Sequence, residues 1–129
     1  MTMFGKANQS FEVFSDNRAV TAKASGAITG KTFVKIVAGG TFQQPKVATC
    51  GAGEQAFGVA AWDAADGETV AVKQIGTHTV TAGAALTAPA QVQSDAAGKA
   101  VAVSTGVRLG SVYSDAVINA DAAVRLAAL

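Results

Sequence analysis

The stretch Phe57-Gly58-Val59-Ala60-Ala61-Trp62-Asp63-Ala64 runs through Ala65-Asp66-Gly67 into Glu68-Thr69-Val70-Ala71-Val72-Lys73-Gln74-Ile75. The first run is a short apolar strand. The second sets Val70 and Val72 against Thr69, Ala71 and Lys73, the period of two expected of a strand with one buried face. Between them, Asp can bond its own backbone two residues on and Gly accepts a positive φ, so the turn has a mechanism. The unit recurs as Leu109-Gly110-Ser111-Val112-Tyr113-Ser114-Asp115-Ala116, with Val124-Arg125-Leu126 as its return run. Each copy opens on an apolar residue and Gly and closes on Asp-Ala. Gly inside a strand marks a bulge or sharp bend, the corner device of small barrels. Two copies are too few for a solenoid, so the expectation is one hairpin unit used twice in a single barrel.

The neighbouring segments read the same way. Thr32-Phe33-Val34-Lys35-Ile36-Val37 alternates, Thr77-His78-Thr79-Val80-Thr81 is β-branched at every second position, and Ala100-Val101-Ala102-Val103 and Ala122-Ala123-Val124-Arg125-Leu126 continue the theme. Breaks fall at Ala38-Gly39-Gly40-Thr41, Gly51-Ala52-Gly53-Glu54 and Asp95-Ala96-Ala97-Gly98-Lys99. Short runs between such breaks define an all-β chain: a small single-domain β-barrel or sandwich, with an extended N-terminal arm and little helix. One helical turn is expected between residues 115 and 123, where alanine favours helix.

The composition makes the core thin. Of 129 residues, 29 are alanine and 16 valine, with four leucines and four isoleucines. Alanine buries little area at roughly 25 cal/mol per Å², so closure of the sheet or association with partners must supplement burial. Charged residues make up 15% of the chain and β-branched residues are abundant, which argues against disorder. The net charge of +1 leaves no electrostatic footprint for nucleic acid. No apolar run reaches the ~18–20 residues of a membrane helix, and the N-terminus lacks a secretory pattern. The reading is a soluble protein made in a cytoplasm, or part of something assembled there. Charge is unevenly placed: residues 1–50 carry a net +4 and residues 51–129 a net −3. Such asymmetry fits either a scattered, solvated surface or a basic portion facing an acidic partner.

No motif assigns a catalytic residue, metal or cofactor. Gly26-Ala27-Ile28-Thr29-Gly30-Lys31-Thr32 has three residues between its glycines where a phosphate-binding loop needs four, and it leads into a strand. His78 is the sole histidine and has no ligand-spaced neighbours. Cys50, the sole cysteine, excludes an intramolecular disulfide and reads as a small buried apolar residue. Asp63, Asp66 and Glu68 cluster around a turn without the spacing of a calcium loop. Trp62, beside that turn, is either core or an interface anchor.

Residues 1–18 differ from the rest. They hold Phe4, Phe11 and Phe14, half of the six phenylalanines, and alternate only at Phe11-Glu12-Val13-Phe14. They are expected to form an arm preceding a domain over residues 19–129. The arm docks on its own domain or on a neighbouring subunit. The neighbour is favoured because a thin-cored barrel offers little groove, and strand addition is the physical route.

The order Gly30-Lys31-Thr32-Phe33-Val34-Lys35, then Phe57-Gly58-Val59-Ala60-Ala61 with Asp63-Ala64-Ala65 and Gly67-Glu68, resembles small capsid decoration, or cement, proteins of tailed bacteriophages. So do Val80-Thr81-Ala82-Gly83-Ala84-Ala85-Leu86, Val92-Gln93-Ser94-Asp95-Ala96-Ala97-Gly98-Lys99-Ala100 and the Leu109-Gly110 unit. The resemblance covers about residues 20–129 and leaves 1–18 outside. It implies a non-enzymatic virion protein on the exterior of an assembled capsid, with the major capsid protein as partner and a homotrimer at capsomer junctions. Neither nucleic acid nor membrane is implied. Phe4, Phe11, Val13, Phe14 and Trp62 are the contact residues expected. A β-domain binding module displayed on a virion, recognising carbohydrate through Trp62 and Tyr113, is the alternative.

Overall fold

The computed structural model describes residues 19–127. Ten strands follow one another: β1 (Ala19–Ala24), β2 (Phe33–Val37), β3 (Lys46–Thr49), β4 (Gly58–Ala60), β5 (Thr69–Lys73), β6 (Thr77–Thr81), β7 (Ala90–Ser94), β8 (Ala100–Ala102), β9 (Gly110–Val112) and β10 (Asp121–Leu126). The first five close into a barrel in the order β1-β3-β2-β4-β5, and the last five form a sheet in the order β6-β10-β9-β7-β8. The chain is all-β, and no helix occurs among the described residues. The helical turn expected between 115 and 123 is replaced by a loop that bridges Ala116 to Leu86 and by the start of β10. Tertiary pairing there overrides alanine's propensity.

The two halves are the same structure twice. The pairs β1·β5, β5·β4, β4·β2 and β2·β3 reappear as β6·β10, β10·β9, β9·β7 and β7·β8. The two-way bonds between Ile28 and Ala64 recur between Leu86 and Ala116. Asp63 Oδ1 accepts from the Gly30 amide at 2.7 Å, and Asp115 Oδ1 from the Ala88 amide at 2.8 Å. Gly67 at φ +83° is matched by Asn119 at φ +64°, and each amide donates to a strand-end carbonyl, Ala24 or Ala82. The hairpin unit read from the sequence is therefore used once in each of two repeats, rather than twice in one barrel.

The repeats differ in how they close. In the first, β1 pairs β3 in parallel through Lys23↔Lys46 and Ala24↔Val47. In the second, the matching contact between β6 and β8 shrinks to one bridge, Ala82↔Ala100. The first repeat fills the gap: the Thr81 amide donates to the Lys31 carbonyl at 2.9 Å, and the Phe33 amide to the Gly98 carbonyl at 2.7 Å.

Alternation along β2 distributes its side chains between two cores. Val34 joins Ala22, Val47, Val70 and Val72 inside the first barrel. Phe33, its neighbour, points the other way and joins Val80, Val92, Leu109 and Val124 in the second core, along with Val59, Ala56 and Cys50. Among the described residues, a core built mainly of alanine and valine, with Leu86 and Leu109, thus receives Phe33 from the other repeat.

Candidate functional site

Phe4, Phe11, Val13 and Phe14 lie outside the described residues. Trp62 sits in the β4–β5 loop, half exposed at 51%, with its indole Nε1–H donating to the Thr69 carbonyl at 3.3 Å. That bond holds the ring across the mouth of the hairpin and leaves much of its surface open. Backbone packing fixes its position, because a Cβ on Gly30 would lie 2.9 Å from the Trp62 Cα.

The chemistry-bearing residues are occupied by structure. Asp63 and Asp66 accept from the Gly30 and Gly26 amides at 2.7 Å, and Glu68 from the Ala65 amide at 2.7 Å, so this trio caps turns. No group of three potential metal ligands converges among the described residues. His78 Nε2 meets the Ile75 carbonyl at 2.6 Å, which makes that nitrogen the donor. Cys50 is buried, and burial first, then the nearby Glu54 carboxylate, push its thiol up to about 12. It stays a thiol at neutral pH and makes a poor nucleophile. Residues 26–32 form a loop feeding β2, with Gly26 and Lys31 at positive φ.

Large apolar side chains instead stand on loops. Phe42 is 99% exposed at the tip of the β2–β3 loop. This loop is longer than its counterpart in the second repeat: residues 38–45 link β2 to β3, against 95–99 between β7 and β8. Tyr113, Val117 and Ile118 are exposed in the β9–β10 loop, the counterpart of the loop carrying Trp62. Exposed apolar groups gathered on loops mark contact surfaces when they cluster.

The outer faces carry the basic residues. Lys23 and Lys46 are register partners on β1 and β3. On the second repeat, Arg125, Ser111 and Gln91 form one row across β10, β9 and β7, with Arg108 just before β9. Among the described residues the ion pairs are Lys31–Asp121 at 3.1 Å and Lys35–Glu54 at 2.9 Å, so these other cations stand outside any pair. Sequence reasoning missed Phe42 and this row. Sliding one hairpin unit over the other sets Arg108 and Ser111 at the places of Ala56 and Val59, which flags two members of the row, while Gln91 and Arg125 join it only through strand pairing.

A closed barrel followed by a matching five-stranded sheet exposes apolar loop residues and holds its carboxylates in turns and ion pairs, an arrangement that assembles no catalytic or metal centre among the described residues. The phage cement protein family model matches residues 14–127. The chain belongs to the phage cement protein family and is a virion structural protein. Among solved structures it is similar to the head fiber gp8.5 N base of bacteriophage phi29, with a TM-score of 0.73 at 15% identity, covering 84% of this chain and 92% of that one. At that identity the likeness is one of fold. No curated protein matches the chain.

Proposed function

We propose that the protein binds the exterior of an assembled phage capsid and stabilises it, without catalysis, as a homotrimer at capsomer junctions. Membership of the cement family is the observation that carries this reading. The exposed loop residues Phe42, Trp62, Tyr113, Val117 and Ile118 supply apolar anchors of the kind that dominate protein interfaces. Many weak sites on one shell gain from multivalency. Residues 1–18, with Phe4, Phe11, Val13 and Phe14, act as an arm on the capsid or a neighbouring protomer.

Pelleting with the parent phage's undecorated, expanded capsids tests this, comparing the full chain with one lacking residues 1–18. Saturable co-sedimentation that the truncation weakens supports both capsid and arm. Binding by both chains keeps the capsid and moves the contact onto the two repeats, and binding by neither overturns the proposal. The exposure of Trp62 and Tyr113 favours one other reading, a carbohydrate-recognising module. A glycan array without a ligand would remove it.

A further inference from the structure

We propose that Arg108, Arg125, Ser111 and Gln91 form a docking face for carboxylates of an acidic protein surface, supplied by the shell on which the protein sits. The identity of the partner rests on the capsid reading above; the chemistry of the face does not.

The two repeats put different chemistry on one station of the fold. In the first, the row across β2, β4 and β5 is Phe33–Val59–Lys73. Phe33 and Val59, with Ala56 beside them, are buried in the core of the second repeat. This face of the scaffold therefore already serves for attachment within the molecule. In the second repeat the same row reads Gln91–Ser111–Arg125, and Arg108 takes the place of Ala56. Gln91, Arg108 and Arg125 are exposed. Every apolar contact residue has become a donor, so a greasy partner is refused and an acceptor-rich one is matched.

Two adjoining clefts of about 370 Å³ each lie on this face and share Arg108 and Ser111. Among the described residues no carboxylate lines either cleft. The seven carboxylates of the described residues each bond a backbone amide or a lysine elsewhere. Two guanidinium groups are thus left for acceptors that the described chain does not supply. Guanidinium forks fit carboxylates in bidentate fashion, and the Ser111 hydroxyl and Gln91 amide add neutral donors. Two arginines form no extended stripe of the kind a nucleic-acid backbone requires.

The test uses the full-length protein, R108Q/R125Q, and K23Q/K46Q as a charge-matched control on the first repeat. Each is titrated with a hexaglutamate peptide by NMR, and each is pelleted with undecorated capsids. The peptide should shift the amides of Gln91 and Ser111. R108Q/R125Q should weaken both peptide and capsid binding at least tenfold, and K23Q/K46Q at most twofold. Equal losses in the two variants would reduce the effect to net charge and overturn the inference. A response to inorganic phosphate with none to the peptide would overturn the carboxylate assignment. If wild type and R108Q/R125Q pellet alike, the docking face is wrong and the capsid reading stands. If wild type does not pellet, the capsid reading fails, and the peptide titration alone decides the face.

Discussion

Phe33 and Gly98 hold the two repeats together from opposite sides of one seam. The Phe33 amide donates to the Gly98 carbonyl at 2.7 Å, and a Cβ on Gly98 would stand 2.8 Å from the Phe33 carbonyl oxygen. Gly98 also sits at φ +77°, where a side chain is strained. The second core thus receives its largest side chain through a seam that tolerates no side chain on the other bank.

Phe33→Ala should cost about 3–5 kcal/mol, the range for emptying a buried aromatic site. Urea unfolding followed by Trp62 fluorescence and by far-UV dichroism measures it. A loss below about 1 kcal/mol would mean that the second sheet closes without the plug.

Gly58 and Gly110 should respond alike to alanine. A Cβ at Gly58 would lie 2.4 Å from the Lys73 carbonyl and 2.6 Å from Val72 Cγ1; at Gly110 the distances are 2.4 Å to the Arg125 carbonyl and 2.8 Å to Val124 Cγ1. The obstruction is backbone, so each Gly→Ala should cost at least about 1–3 kcal/mol. Gly26→Ala, with nothing within 4 Å but φ at +78°, should cost about 1–2 kcal/mol from conformation alone. Thermal midpoints for the three variants check the order.

Asp63→Ala and Asp115→Ala each leave a turn amide, Gly30 or Ala88, without its acceptor. Both sites are solvent-exposed, so water partly compensates, and each change should cost about 0.5–1.5 kcal/mol. Near-equal losses are expected from equivalent stations. A large difference in the denaturation midpoints would show that the repeats are unequal in stability where they are equal in geometry.

The Lys35–Glu54 pair gives small, opposite limbs of pH dependence. The Lys35 hydrogen bond, then that of the Gly51 amide, hold the Glu54 carboxyl below its usual range, and the Glu54 hydrogen bond raises the Lys35 ammonium. The Glu54 contribution is present above the unfolded carboxyl value near ~4.3 and is lost as pH falls through the lower folded value. The Lys35 contribution is present below ~10.4 and is lost as pH rises through the higher folded value. Both groups are open to solvent, so the effect is weak and salt-sensitive. Glu54→Gln should flatten both limbs in urea midpoints taken across the pH range.

Strand positions were legible because valine and threonine alternate, and the hairpin unit because its Gly and Asp residues are each required by backbone. Gly58 and Gly110 lie where the next strand passes, and Asp63 and Asp115 cap the facing loop. The register of the return strand was not legible. Val70-Ala71-Val72 looks like Val124-Arg125-Leu126, but the structural partners of Val70 and Val72 are Ala122 and Val124, since Ala22↔Val70 is matched by Val80↔Ala122. A slip of two residues keeps every side chain on its own face, so alternation cannot detect it. The full duplication was masked by the longer β2–β3 loop and by strands in which alanine and valine replace one another at core stations. The outer row was missed because nothing in Gln91, Arg108, Ser111 and Arg125 signals adjacency until three strands are laid side by side.

Unequal closure also sets a sequence of events during synthesis. Chains fold from the N-terminal end as they emerge, at roughly 5–20 residues per second. Once Lys73 has left the ribosome, all five strands of the first barrel are available to pair, before any of the second sheet has been made. The strands of the second half emerge later, when Phe33, which their core receives, has already been synthesised. Synthesis order thus delivers the segment around Lys31 and Phe33, which bonds to Thr81 and Gly98 across the open side of the second sheet, ahead of the strands that need it.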